Sequence, residues 1–96
     1  MCYTKLKGGE RMAITITICD DDSMQINNLR KILGRWAESK PFALHINEYE
    51  SAEGFLFDYP DNPCCLLLLD IEMRGINGME LAKQLREKGD MLPIVF

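Results

Sequence analysis

The sequence predicts an α/β fold, a doubly wound parallel sheet with helices on both faces. Three observations carry this. Short apolar runs alternate with stretches of helical spacing in the order β-α-β-α-β-α-β, and such alternation belongs to parallel sheets with crossover helices. Residues 64–69, Cys-Cys-Leu-Leu-Leu-Leu, are continuously apolar, as a strand covered on both faces must be. Acidic residues follow the first and third strands directly, and in such sheets functional groups collect at the carboxyl ends of the strands.

The first strand is residues 13–19, where isoleucine and threonine alternate and β-branched side chains favour extended backbone. It stops at Asp20-Asp21-Asp22-Ser23, and Asp22 or Ser23 is positioned to cap a helix. From Met24 to Glu38, Ile26, Leu29, Ile32, Leu33 and Trp36 form one apolar helical face, with Asn27, Asn28, Arg30, Lys31 and Arg35 on the other. Pro41 closes this segment. Residues 43–49 alternate loosely, as a less buried strand does. Ser51 opens a weak helix through Phe55, Leu56 and Tyr59, with Gly54 as its flaw. Pro60-Asp61-Asn62-Pro63 is a turn cluster ahead of the leucine run. Gly75 and Asn77-Gly78 mark a loop. Leu81, Ala82 and Leu85 then give the inner face of a helix reaching about Lys88, which Gly89-Asp90 ends. Leu92-Pro93-Ile94-Val95-Phe96 begins a fourth strand.

Ninety-six residues make one domain, with hydrophobic residues at 47% and charged ones at 27%, a globular balance. Aromatics are only 8%, so aliphatic side chains must fill the core. No apolar run is long enough for a membrane span or a signal peptide. Lys5, Lys7 and Arg11 against Glu10 give residues 1–12 a charge of +2, so the rest of this −4 chain carries −6. An acidic body repels phosphate backbones, which argues against direct nucleic-acid binding and for a cation or a basic partner. The four cysteines, Cys2, Cys19, Cys64 and Cys65, form no CxxC and have no histidine nearby, so a zinc site is not expected. Cys19 and Cys65 read as small buried hydrophobes. No disulfide framework is expected, which points to a reducing cytoplasm.

If the first and third strands are neighbours, Asp20, Asp21 and Asp22 meet Asp70 and Glu72 at one edge of the sheet. Carboxylates that close repel, and a hard divalent cation with oxygen ligands relieves the repulsion. Magnesium is the natural candidate, since it keeps waters and accepts a phosphoryl oxygen. Plain helix capping by the aspartates remains the alternative.

Ile-Cys-Asp-Asp-Asp followed by Leu-Leu-Leu-Leu-Asp-Ile-Glu-Met-Arg-Gly-Ile-Asn-Gly-Met-Glu-Leu resembles the receiver domain of bacterial two-component response regulators. The resemblance covers about residues 13–96. Its wording at Ile-Cys-Asp-Asp and Asp-Ile-Glu-Met is most similar to receivers attached to LytTR-type DNA-binding domains. It implies a flavodoxin-like receiver fold with strand order 2-1-3-4-5, here incomplete after the fourth strand. It also implies roles. Asp70 is the phospho-acceptor from a sensor histidine kinase, giving 4-aspartylphosphate. Asp21 binds Mg2+ directly, Asp20 acts through water, Asp70 is itself among the metal ligands, and the main-chain carbonyl of Glu72 is a further one. Such a chain is a phospho-acceptor rather than a conventional enzyme. Receiver dimerisation is a further mode of partnership.

Arg74 stands where such receivers usually carry proline, which reads as a minor variation. The serine or threonine past the fourth strand and the lysine past the fifth, which contact the phosphoryl group, would fall beyond Phe96. So would the fourth helix, fifth strand and fifth helix, and a marginally folded, self-associating fragment is the expectation. Two other readings are a receiver remnant without phosphotransfer and a Mg-dependent phosphatase, which would want an aspartate where Glu72 stands. His45 is remote from the acidic cluster, Trp36, Phe55 and Phe57 read as packing, and Met73 and Met79 as gap fillers. Arg30, Lys31 and Arg35 read as a solvated face. Residues 1–11 fit no element. Lys7-Gly8-Gly9-Glu10 can be encoded by a purine-rich run resembling a ribosome-binding site, so Met12 reads as the domain's start and 1–11 as an extension outside it.

Overall fold

A computed structural model describes residues 3–5 and 12–96. The elements are β1 (Tyr3–Lys5), β2 (Met12–Cys19), α1 (Ser23–Glu38), β3 (Ala43–Tyr49), α2 (Ala52–Asp58), β4 (Leu66–Leu69), α3 (Gly78–Glu87) and β5 (Ile94–Val95). Four strands run parallel in the spatial order β3-β2-β4-β5. This is the 2-1-3-4 order expected of the sequence.

The strand β1 was not expected. Tyr3 lies opposite Ile14 and Lys5 opposite Met12, antiparallel. The reason is an open ladder. β3 covers one edge of β2 from Ala13 to Cys19, but β4 joins the other only at Ile16, opposite Leu66. The backbone groups of Met12–Ile14 would otherwise lack sheet partners on that side, and β1 supplies them. The expectation that residues 1–11 form no element is therefore corrected for Tyr3–Lys5; residues 1, 2 and 6–11 lie outside the described residues.

Alternation along β2 sends Ile14, Ile16 and Ile18 to one face and Thr17 and Cys19 to the other, and all five are buried. The main core lies on the second face, where Cys19, Leu67 and Leu69 of the sheet meet Ala52 and Phe55 of α2 and Leu81 and Leu85 of α3. Phe55 stacks on Tyr59 at 4.9 Å between ring centroids and meets Tyr49 edge-on at 5.7 Å. The buried Thr17 hydroxyl has no nitrogen or oxygen partner and lies against the Cys64 thiol. Beyond β4, Leu92 is buried, and the main-chain N–H of Leu67 donates to the Pro93 carbonyl at 3.0 Å, ahead of the two-residue β5.

Each helix begins on the cap its sequence offers. The side chains of Asp22, Ser51 and Asn77 accept from the main-chain N–H of Met24, Gly54 and Glu80. The apolar face of α1 is only partly used. Ile26 is buried, while Ile32 and Trp36 are exposed. Both exposed residues lie in the second half of the helix, beyond Ile26. There Trp36 packs against Phe42 at 5.5 Å, with the Lys40 ammonium 5.5 Å from the indole. Phe57 and Met79 also point to solvent, so neither fills the core as expected. Both sit on the outward sides of helices whose inner sides are already occupied by Phe55 and Leu81. Cys65 is half-buried and disulfide-bonded, against the reading as an inert core residue. It sits at a bend just before β4 rather than within the strand.

Candidate functional site

Register builds the site. Cys19 pairs with Tyr49 of β3 on one side and Leu69 of β4 on the other, so these three residues end their strands level. The ladder runs one residue further. The N–H of Asp20 donates to the Tyr49 carbonyl at 3.0 Å, and that of Asp70 to the Cys19 carbonyl at 3.0 Å. Asp20 and Asp70 therefore leave neighbouring strands at the same height. One carboxylate oxygen from each of Asp20, Asp21 and Asp70 falls within 4.8 Å of the others.

The three carboxylates differ in setting. Asp20 is buried, at 7% exposure, Asp70 is half-buried, and Asp21 is open to solvent. Burial pushes the Asp20 carboxyl above its ordinary value. The Asp22 N–H, donating to Asp20 Oδ1 at 2.9 Å, opposes this, and the charges of Asp70, Asp22 and Asp21 add to it. Asp21 Oδ2 accepts from the Arg74 N–H at 3.2 Å. A proline at position 74 would have no such donor, so Arg74 is more than a minor loop variation. Asp22 turns away to cap α1, where its Oδ1 accepts from Met24 N at 2.9 Å.

Beneath the cluster lies Cys19, its sulfur 3.5 Å from the Ser51 carbonyl and 3.9 Å from the Met73 sulfur. Burial, with the carboxylates of Asp20 and Asp70, pushes this thiol up to about 12. It is no nucleophile at neutral pH. Two hollows flank the carboxylates. One, of about 290 Å3, is lined by Ile18, Asp20, Leu29, Leu68, Asp70 and Val95 among others. The other opens between Asp21, Glu72, Arg74 and Asn77. Glu72 thus borders the site, with its side chain exposed and outside the carboxylate group. His45 is exposed on β3, apart from all of this.

The chain over residues 16–96 matches the response regulator receiver domain family. The chain belongs to that family. Among curated relatives, the response regulator protein TodT of Pseudomonas putida is 30% identical over 95 residues, 99% of this chain and 39% of TodT. The transcriptional regulatory protein TdiR of Thauera aromatica is 31% identical over 85 residues, 88% of this chain and 34% of TdiR. The chain thus spans about two fifths of the length of such relatives. The structure of the response regulator StyR superposes with a TM-score of 0.71 at 33% identity, over 85% of this chain and 38% of that one. The beryllium-trifluoride-bound MaeR response regulator, at 23% identity, shares the fold with a TM-score of 0.75, over 85% of this chain and 64% of its own.

The receiver's donor set fits a divalent cation. Three carboxylate oxygens converge, one group is buried with its charge unneutralised, and no basic side chain forms an ion pair with them among the described residues. Hard oxygen donors of this kind suit magnesium. Two features of the receiver site lay outside the sequence reading. Gly78, which looked like a turn residue, opens α3 against Asp70: a Cβ there would lie 2.2 Å from the Asp70 carbonyl oxygen. Glu53, on α2, reaches the loop after β4. Only its place in the first turn of α2 hinted at anything, and that place is explained equally well by the helix dipole.

Proposed function

We propose that Asp70 accepts a phosphoryl group from the phosphohistidine of a sensor histidine kinase. The observation that carries this is the convergence of Asp20, Asp21 and Asp70 at the level ends of two adjacent strands. An Asp70 carboxylate oxygen attacks phosphorus, the P–N bond breaks, and the imidazole leaves with a proton from solvent. Asp21 and Asp70 would hold Mg2+, Asp20 would help through water, and the Glu72 main-chain carbonyl would be a further ligand. The bound ion would neutralise charge on the transferring phosphoryl oxygens. Asp21 also accepts from the Arg74 N–H through Oδ2, which ties this carboxylate to the loop after β4.

On this reading the chain works in the cytoplasm as a phospho-acceptor rather than as a conventional enzyme. It controls an attached output domain, to which the transcriptional role in TdiR's name and the LytTR-like wording of the strand ends lend support. Contact with nucleic acid would fall to that output domain. Pairing of receivers would transmit the signal. The test is incubation with acetyl phosphate and Mg2+, followed by intact-mass analysis. The chain should gain one phosphoryl group, and Asp70→Asn should gain none. Equal labelling of Asp70→Asn overturns the assignment.

A further inference from the structure

We infer that Glu53 is a positioning residue for the metal centre, holding from α2 the loop between β4 and α3 that carries the Glu72 carbonyl. This rests on the metal reading above.

The loop is tethered at two points, and both tethers are carboxylates from elsewhere in the chain. On its near side the Arg74 N–H donates to Asp21 Oδ2 at 3.2 Å. On its far side the Ile76 N–H donates to Glu53 Oε2 at 3.4 Å. Between them Gly75 has a φ of +73°. Its Cα passes so near Glu53 that a Cβ would lie 2.4 Å from Oε2. The positive dihedral calls for glycine, and a side chain there would push the Glu53 carboxylate away from the Ile76 N–H. Glu53 itself is fixed by α2, whose Ser51 cap and buried Ala52 and Phe55 lock it to the core. Residues 71–77 form no helix or strand of their own, apart from the α3 cap. Their path is set by these tethers and by the bond from Gly78 N to the Ile71 carbonyl at 2.8 Å. Glu72 and Arg74 lie between the anchors at Ile71 and Ile76. Loss of the Glu53 tether would leave this stretch held only by the Arg74 and Gly78 bonds, and a main-chain ligand is only as well placed as its backbone.

A positioning role and a purely electrostatic one predict different outcomes. Glu53→Gln keeps an oxygen acceptor and loses the charge, whereas Glu53→Ala loses both. Mg2+ binding to the 96-residue chain and its variants is measured by calorimetric titration, and exchange of the Ile76 amide by NMR. Glu53→Ala should raise the Mg2+ dissociation constant about tenfold, at the lower end of outer-shell effects, and speed Ile76 exchange. Glu53→Gln should restore both close to wild type. Unchanged affinity in Glu53→Ala, or equal weakening in both variants, overturns the inference and leaves the metal centre standing. A wild type that binds no Mg2+, or that matches Asp21→Ala, overturns both.

Discussion

Asp20 illustrates how a residue that serves a site can cost the fold. Buried among three other aspartates, it has a folded-state pKa raised above 3.8. Its protonated form is the one the metal-free fold favours. That contribution is complete below the unfolded pKa and is lost as pH rises through the folded one. At neutral pH without metal, Asp20 is therefore a destabilising charge. Asp20→Asn keeps an oxygen for the Asp22 N–H and removes that charge. Calorimetry in EDTA at pH 7 should show a raised melting temperature. Added Mg2+ should then stabilise the variant less than the wild type. A lower melting temperature in EDTA would contradict the argument.

The helices and strands were largely legible because each carries its own signals. Asp22 and Asn77 are caps by residue type and position, and Ile26, Leu81 and Leu85 fall on faces that periodicity defines. Asp22→Ala should cost about 1 kcal/mol in urea unfolding and leave Mg2+ affinity nearly unchanged, which separates the cap from the two aspartates before it. What was illegible depends on the third dimension. Ile32 and Trp36 share the helical spacing of Ile26, so they look like core in sequence, yet they are surface in space. The site divides the same way. Asp20, Asp21 and Asp70 were found because strand ends declare themselves. Glu53 was not, because its partner is the main chain of residues 75–76, and backbone contacts leave no residue-type signature. The pairing of β1 depends on how far down β2 the strand β4 reaches, and no local pattern records that. Tyr49 ties β3 to α2 through a hydrogen bond from its hydroxyl to Asp58.

For the molecule as a whole, the alkaline limit of stability follows from buried weak acids. Burial, the Asp58 hydrogen bond and its charge push Tyr49 up to about 12. Cys19 is pushed to about the same value, and Tyr59 is raised further, by burial and by Asp90. These pKa values are raised, so their stabilisation is present below the unfolded values of 10.0 for tyrosine and 9.0 for cysteine and is lost as pH climbs towards 12. Unfolding free energy should fall across that window, and Tyr49→Phe should make the fall shallower; an unchanged slope would contradict the role of Tyr49. A second whole-molecule property is the open side of the sheet. β5 pairs with β4 alone among the described strands, and Val95 and Phe96 are 52% and 57% exposed. Such an edge accepts another strand. Sedimentation of the 96-residue chain should show concentration-dependent association, which Val95→Lys should reduce. Association unaltered by the lysine would place the contact elsewhere.

Gly78 has a consequence for motion. Its missing side chain lets the first residue of α3 rest against the Asp70 carbonyl, while its N–H grips the Ile71 carbonyl. The two backbones touch with no side chain between them, so a shift of the Asp70 peptide would press directly on the first turn of α3. Strain arising at the Asp70 peptide passes straight into that helix without waiting for a side chain to change rotamer.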